Sequence, residues 1–69
     1  MEDVARKQAF DAVLNAHKDL LAAGKRLSGR RLPMAGVHYD LGSAMSALRA
    51  AEAKITQAIE WIQPHVARQ

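Results

Sequence analysis

Two long stretches of the chain repeat apolar residues at the spacing of an α-helix. The second is the more regular, with alternating steps of four and three between Leu41, Met45, Leu48, Glu52, Ile55, Ile59, Ile62 and Val66, of which only Glu52 is charged. This alternation is typical of the seam along which one helix packs against another. We therefore predict a second long helix that ends near residue 63, with Pro64 marking either its end or a kink.

The first stretch predicts the partner of this helix, from about residue 3 to about residue 28. Glu2 and Asp3 carry the negative charge that favours a helix start, and Ser28 followed by Gly29 suits a helix end. Its apolar stripe consists of Val4, Phe10, Val13, Leu14, His17, Leu20, Leu21, Gly24 and Leu27. The glycine in that stripe predicts a close helix contact there.

A second stripe on the first helix is made of small residues. Ala5, Ala9, Ala12, Ala16 and Ala23 follow the same alternating steps, with Asp19 interrupting them. The larger apolar stripe can serve the hairpin partner, and the alanine stripe can then serve a second subunit. Alternatively, these alanines are present simply because alanine is a good helix former.

The connection between the helices is expected within residues 29–39, without a strand. Pro33 and Gly36 are typical turn residues, and Asp40 or Ser43 is the candidate N-cap of the second helix. The pattern thus predicts an all-α fold, an antiparallel two-helix hairpin that forms a single domain over residues 1–69. In that hairpin His17 falls roughly opposite Glu52, so we predict a hydrogen bond between them that fixes the register.

Composition adds an expectation about assembly. The chain has 69 residues, of which 49% are hydrophobic, and it has no cysteine. A hairpin of this size buries little apolar surface, so we expect it to complete its core as a homo-oligomer. The flank that carries Trp61 is expected at a subunit interface. The acidic start without a leader-like apolar run, and the lack of any stretch of about 20 apolar residues, predict a cytoplasmic protein with no membrane partner.

Candidate chemistry is sparse. The three histidines lack metal-ligand spacing, no G-x-S-x-G sequence surrounds a serine, and Gly24-Lys25 lacks the rest of a phosphate-binding loop. We therefore predict no enzyme, no metal and no cofactor.

The charge pattern points to an anionic ligand. The net charge is +3, and Lys25, Arg26, Arg30 and Arg31 lie within seven residues that contain no acid. Lys18 shares a helix face with Lys25, so this group is able to receive phosphates, although each member is by default a solvated charge. Nucleic acid is an unlikely partner, because a general DNA-binding surface has a longer basic stripe.

Two segments resemble the small helical phage proteins that antagonise CBASS immunity by sequestering its cyclic-nucleotide signals. The stretch AFDAVLNAHKDLLA, residues 9–22, is similar to the aromatic–acid–aliphatic and Lys–acid–Leu pattern of that family. The stretch AKITQAIEWIQPHVAR, residues 53–68, is similar to its C-terminal Trp and Ile-Ala-Arg pattern. The resemblance implies a compact helical oligomer with ligand pockets between its protomers.

The resemblance transfers one ligand contact, because the phosphate-contacting lysine of the family matches Lys18. The family has a shorter connection with an arginine that has no clear counterpart here, and its N-terminal stretch with a base-stacking tyrosine is missing. Tyr39, or else Phe10, would have to supply the stacking ring. The expected ligand-binding residues are Lys18, Lys25, Arg26, Arg30, Arg31 and Tyr39.

The function expected from these observations is a phage immune-evasion sponge that binds cyclic di- or oligonucleotides without chemistry in the host cytoplasm. The alternative is a small helical anti-defence inhibitor or adaptor that docks on a protein through its alanine stripe or its Trp61 flank. A small nucleic-acid binder that uses the basic turn is a third possibility.

Overall fold

The structure is a computed structural model that describes residues 2–32 and 36–66, and the side chains of 2, 30–32 and 38 lie outside the description. Helix α1 spans Glu2–Ser28 and helix α2 spans Leu41–Val66, and strands β1 (Arg30–Leu32) and β2 (Gly36–His38) lie between them. The two helices pack along their length into a rod of 59 × 15 × 14 Å. The predicted two-helix hairpin is confirmed.

The expectation that the connection contains no strand is wrong. Strands β1 and β2 pair antiparallel, with Arg30 opposite His38 and Leu32 opposite Gly36. The backbone torsion φ of Gly29 is 86°, a left-handed conformation that ends α1 and redirects the chain. Pairing the two short segments satisfies backbone groups that an irregular loop would leave to water. Pro33 lies outside the described residues.

Near the tip of the hairpin, side chains form hydrogen bonds at the end of α1 and at the start of α2. Ser28 Oγ donates to the Lys25 carbonyl oxygen at 3.0 Å at the end of α1. At the start of α2, the Ser43 backbone N–H donates to Asp40 Oδ1 at 3.0 Å, and Ser43 Oγ donates to Asp40 Oδ2 at 2.8 Å. Asp40 is therefore the N-cap of α2, because its carboxylate accepts from an N–H that the first turn cannot pair.

Helix α2 passes through Pro64 and ends at Val66. Proline at this position supplies no N–H to the helix, so it weakens the last turn without ending it. Among the described residues, neither helix combines the length and the apolar character that crossing a membrane requires.

The core of the hairpin consists of alanines, and the predicted packing of the large apolar stripes is wrong. The buried residues are Ala5, Ala9, Ala12, Ala16 and Ala23 of α1 and Ala44, Ala51 and Ala58 of α2. We call these residues the alanine seam. Across the described part of the chain, no side chain larger than alanine is buried. Side chains this small let two helix backbones approach closely, so the alanine stripe is the hairpin contact and is not left for a second subunit.

The large apolar residues instead lie beside the seam. When the seam residues are numbered as positions a and d of a heptad, most of the large apolar residues of both helices occupy positions b and e, and Leu14 and Leu21 occupy the adjoining f positions of α1. Because the helices are antiparallel, the e positions of one flank the e positions of the other, so both rows fall on the same broad side of the hairpin. This apolar face comprises Phe10, Val13, Leu20, Leu41, Met45, Leu48, Ile55, Ile59, Ile62 and Val66.

Most of the apolar face is open to solvent. Nine of its ten residues are exposed, from 43% for Ile55 to 65% for Leu41, and Leu48 is half-buried. Gly24 occupies a b position in the α1 row, where a Cβ atom would meet nothing within 4 Å, so the close helix contact expected at Gly24 is absent from the hairpin.

Candidate functional site

A shallow depression of about 510 Å³ lies on the surface of α1. It is lined by Lys18, Leu21, Ala22, Lys25 and Arg26. All five belong to one helix, and at the 1.5 Å rise of an α-helix Lys18 and Lys25 are about 10 Å apart along it. The structure therefore brings three of the six predicted ligand-binding residues together.

The depression is basic and its cations are available. Lys18, Lys25 and Arg26 are exposed, and none of them forms an ion pair with a described acidic side chain. Leu21 and Ala22 add an apolar surface between the charges, and nothing in the sequence pattern had singled them out for this role. The site thus offers positive charge around a small apolar patch.

The depression lies on the broad side of the hairpin opposite the apolar face. Lys18 and Lys25 occupy c positions of the heptad, and Leu21 occupies an f position between them and the apolar face. Helix α2 contributes no residue to the lining. A ligand held there would contact the protein from one side of a single protomer.

Tyr39, the predicted stacking ring, lies at the tip outside this lining. Its ring packs over Gly29, where an added Cβ atom would be 2.8 Å from Tyr39 Cε1, and 53% of the residue is exposed. The basic last turn of α1 is at the same end of the hairpin. Arg30 and Arg31 belong to β1, and the direction of their side chains lies outside the described residues.

The predicted His17–Glu52 hydrogen bond is wrong for the single hairpin. Both residues are exposed, and no described residue forms a hydrogen bond or ion pair with either of them. The register places them at about the same height, because the seam brings Ala12 to Ala58. They nevertheless lie on the apolar face, where no side chain of the same protomer covers them.

The polar pair inside the hairpin is Asp19 with Lys54. Lys54 Nζ donates to Asp19 Oδ2 at 2.5 Å. The Lys54 side chain is 36% exposed and the Asp19 side chain is 24% exposed. Each of them interrupts a run of alanines in its own helix. That shared interruption was the signal in the sequence that could have identified the pair.

A second depression of about 360 Å³ is lined by Gln57, Glu60 and Trp61 of α2. Trp61 is 43% exposed and occupies a seam position near the open end of the hairpin. Among the described residues, no group of histidine, aspartate and glutamate side chains is arranged to hold a metal ion.

Comparisons of the chain with protein-family models, with curated proteins and with solved structures find no match.

Proposed function

We propose that the chain is a binding protein that sequesters a small phosphate-bearing nucleotide, with a cyclic di- or oligonucleotide signal as the favoured class. It performs no chemistry and acts as an oligomer in the cytoplasm of a phage-infected cell. The observation that carries the proposal is the basic depression of α1, where three cations that form no ion pair with any described side chain surround Leu21 and Ala22. The similarity of two helical segments to phage sponges supports the choice of ligand class.

The depression suits both the phosphate groups and the base of a nucleotide. Lysine and arginine side chains donate charge-assisted hydrogen bonds to phosphate oxygens, each contributing about 1.5–3 kcal/mol. The apolar patch between them matches the face of a base. The depression, about 510 Å³ in volume, is shallow, so a nucleotide would lie across it and keep one side in solvent. Sequestration requires tight binding and nothing more, so a site without a nucleophile or general base is sufficient.

Isothermal titration calorimetry with a panel of cyclic di- and trinucleotides tests the proposal. We expect one cyclic nucleotide to bind selectively, and Lys18→Ala or Lys25→Ala to weaken its binding by at least about tenfold each. Lys7→Ala is the matched control, since Lys7 is an exposed lysine of α1 outside the depression. Equal affinity of the Lys18→Ala variant and the parent would refute the site.

Tyr39 is proposed as the ring that stacks on a base from the tip of the hairpin. Tyr39→Ala should then weaken nucleotide binding by about 1–3 kcal/mol, the range for one base–aromatic stack. The helix content of the variant, measured by circular dichroism, must equal that of the parent, because the ring also packs over Gly29. Unchanged affinity would remove Tyr39 from the site and leave the lysine contacts untouched.

The second candidate is an adaptor or inhibitor that docks on a protein. The alanine stripe is occupied within the hairpin, so the docking surface would be the depression beside Trp61, where an exposed indole adjoins Gln57 and Glu60. Tryptophan is enriched at protein interfaces, which favours this surface. Binding of a protein partner that Trp61→Ala abolishes and Lys18→Ala leaves intact would favour the adaptor. Salt-sensitive binding of a DNA duplex would instead support a nucleic-acid binder.

A further inference from the structure

The hairpin exposes far more surface than a compact monomeric protein of the same mass. A compact monomeric protein of 7.6 kDa exposes about 4,300 Å², whereas this chain exposes 5,736 Å². The difference is roughly 1,400 Å² per chain, so two chains together would have roughly 2,800 Å² in excess, within the range of obligate homodimer interfaces. The apolar face accounts for much of this surface, because its large side chains are about half exposed.

The shape of the apolar face suits a second copy of the same chain. The molecule is 59 Å long and 15 Å wide, a projected area of roughly 900 Å², compared with about 800 Å² per partner in a standard specific interface. Two such faces stacked together form a four-helix bundle, in which the b and e rows supply the large side chains that the alanine seam lacks. We propose that a second copy of this chain covers the apolar face.

Two polar residues near the middle of the face, His17 and Glu52, set the orientation of the copies, whereas Asp3 and Arg6 of the same rows lie at the open end of the hairpin. His17 and Glu52 stand at about the same height near the middle of the rod, each among apolar neighbours and neither with a partner among the described residues. If the two tips point the same way, α1 of one copy covers α2 of the other, and His17 meets Glu52 of the second copy. If the tips point in opposite directions, Glu52 faces Glu52. Like charges at that position are unfavourable, so the pairing selects the arrangement with both tips at one end.

The pairing leaves the nucleotide site of each copy uncovered. Lys18 and Lys25 occupy c positions and Arg26 occupies a d position, on the side of α1 that faces away from the second copy. The pairing of the apolar faces therefore does not rest on the proposed function.

Sedimentation equilibrium without nucleotide tests the pairing, so its result is independent of whether a ligand binds. We expect the parent at micromolar concentration to have twice the 7.6 kDa mass of one chain, or an even multiple of it. Ile59→Asp places a charge at a b position of the face and should weaken association by at least about tenfold. The control is Ala53→Asp, an equal change in charge at an exposed position of the same helix away from the face.

Three results would overturn the pairing: a monomeric parent, a trimer, or association that Ile59→Asp leaves unchanged. If Ile59→Asp loses its helix content, the melting temperature of the parent is measured at several concentrations instead. A dimer melts at a higher temperature when its concentration is raised. A melting temperature that is independent of concentration would refute the dimer. Association only with a different protein would assign the face to that partner and equally overturn the inference.

Cysteine cross-linking tests the orientation, because the chain has no native thiol. On oxidation, a mixture of His17→Cys and Glu52→Cys chains should form the mixed disulfide several-fold faster than either variant forms its own. Cross-linking of Glu52→Cys chains with one another at the faster rate would instead place the tips at opposite ends.

Absence of nucleotide binding by the parent, with dimerisation intact, would refute the proposed function but leave the pairing standing.

Discussion

Lys54 reaches across the hairpin to Asp19, and their ion pair is the one polar side-chain contact between the helices among the described residues. Lys54 Nζ lies 2.5 Å from Asp19 Oδ2, and both side chains are partly shielded from water. In a register shifted by one helical turn, each charge would face an alanine. The pair therefore stabilises one alignment of two helices whose seams are otherwise nearly uniform.

Breaking this pair from one side should destabilise the hairpin. Lys54→Ala leaves the partly buried Asp19 carboxylate without its partner, so we expect the free energy of unfolding to fall by about 1–2 kcal/mol. Asp19→Ala combined with Lys54→Ala should recover most of that loss, because the seam then continues as alanine. Urea unfolding followed by circular dichroism measures both. A double variant as unstable as the sum of the single changes would contradict a direct interaction between the two residues.

The alanine seam should reject larger side chains. Ala51 is 2% exposed, so Ala51→Leu must push the helices apart, and we expect a loss of about 1–3 kcal/mol in the free energy of unfolding. The control is Ala53→Leu at an exposed position two residues away, which should change stability by no more than about 0.5 kcal/mol. If Ala51→Leu stabilised the protein, the large apolar residues and not the alanines would have to form the hairpin contact.

Gly29 should not tolerate a side chain. Its φ of 86° is unfavourable for any residue with a Cβ atom, and an added methyl group would lie 2.5 Å from Val37 Cγ1. We expect Gly29→Ala to lower the free energy of unfolding by about 1–3 kcal/mol. Gly42→Ala is the control, since its added Cβ atom would meet only Asp40 Oδ1 at 3.9 Å inside α2. Chemical denaturation of both variants should therefore give changes of opposite sign, and equal stability of Gly29→Ala and the parent would rule out this tip geometry.

Replacing Gly24 by alanine should stabilise the protein. A Cβ atom there meets nothing within 4 Å, and glycine inside a helix costs about 0.5–1 kcal/mol relative to alanine. We expect Gly24→Ala to raise the free energy of unfolding by that amount, and Ala22→Gly, at an exposed position of the same helix, to lower it similarly. Measurements at one protein concentration are needed. A loss of stability in Gly24→Ala would mean that another copy approaches the backbone at this point of the apolar face.

The sequence by itself determined the two helices, the end of α1 and the start of α2, whereas the predicted end of α2 near residue 63 was three residues short of Val66. Helical periodicity, the glycine after Ser28 and the acid before Leu41 are local signals, because capping and hydrogen bonding within a helix involve residues three or four positions apart. The pairing of Lys18 with Lys25 was predictable for the same reason, since residues seven positions apart share one side of a helix wherever that helix packs.

Only the tertiary structure decided which of the two stripes of α1 became the hairpin contact. Both the alanine stripe and the large apolar stripe of α1 repeat with the same period, so periodicity alone cannot rank them. The helices of one chain pack through their alanines because small side chains allow two backbones to come close along their whole length. That choice turned His17 and Glu52 from the predicted internal pair into exposed residues, and it placed Asp19 against Lys54. A contact between residues 35 positions apart depends on the rotation of each helix about its axis, which the whole packed hairpin sets.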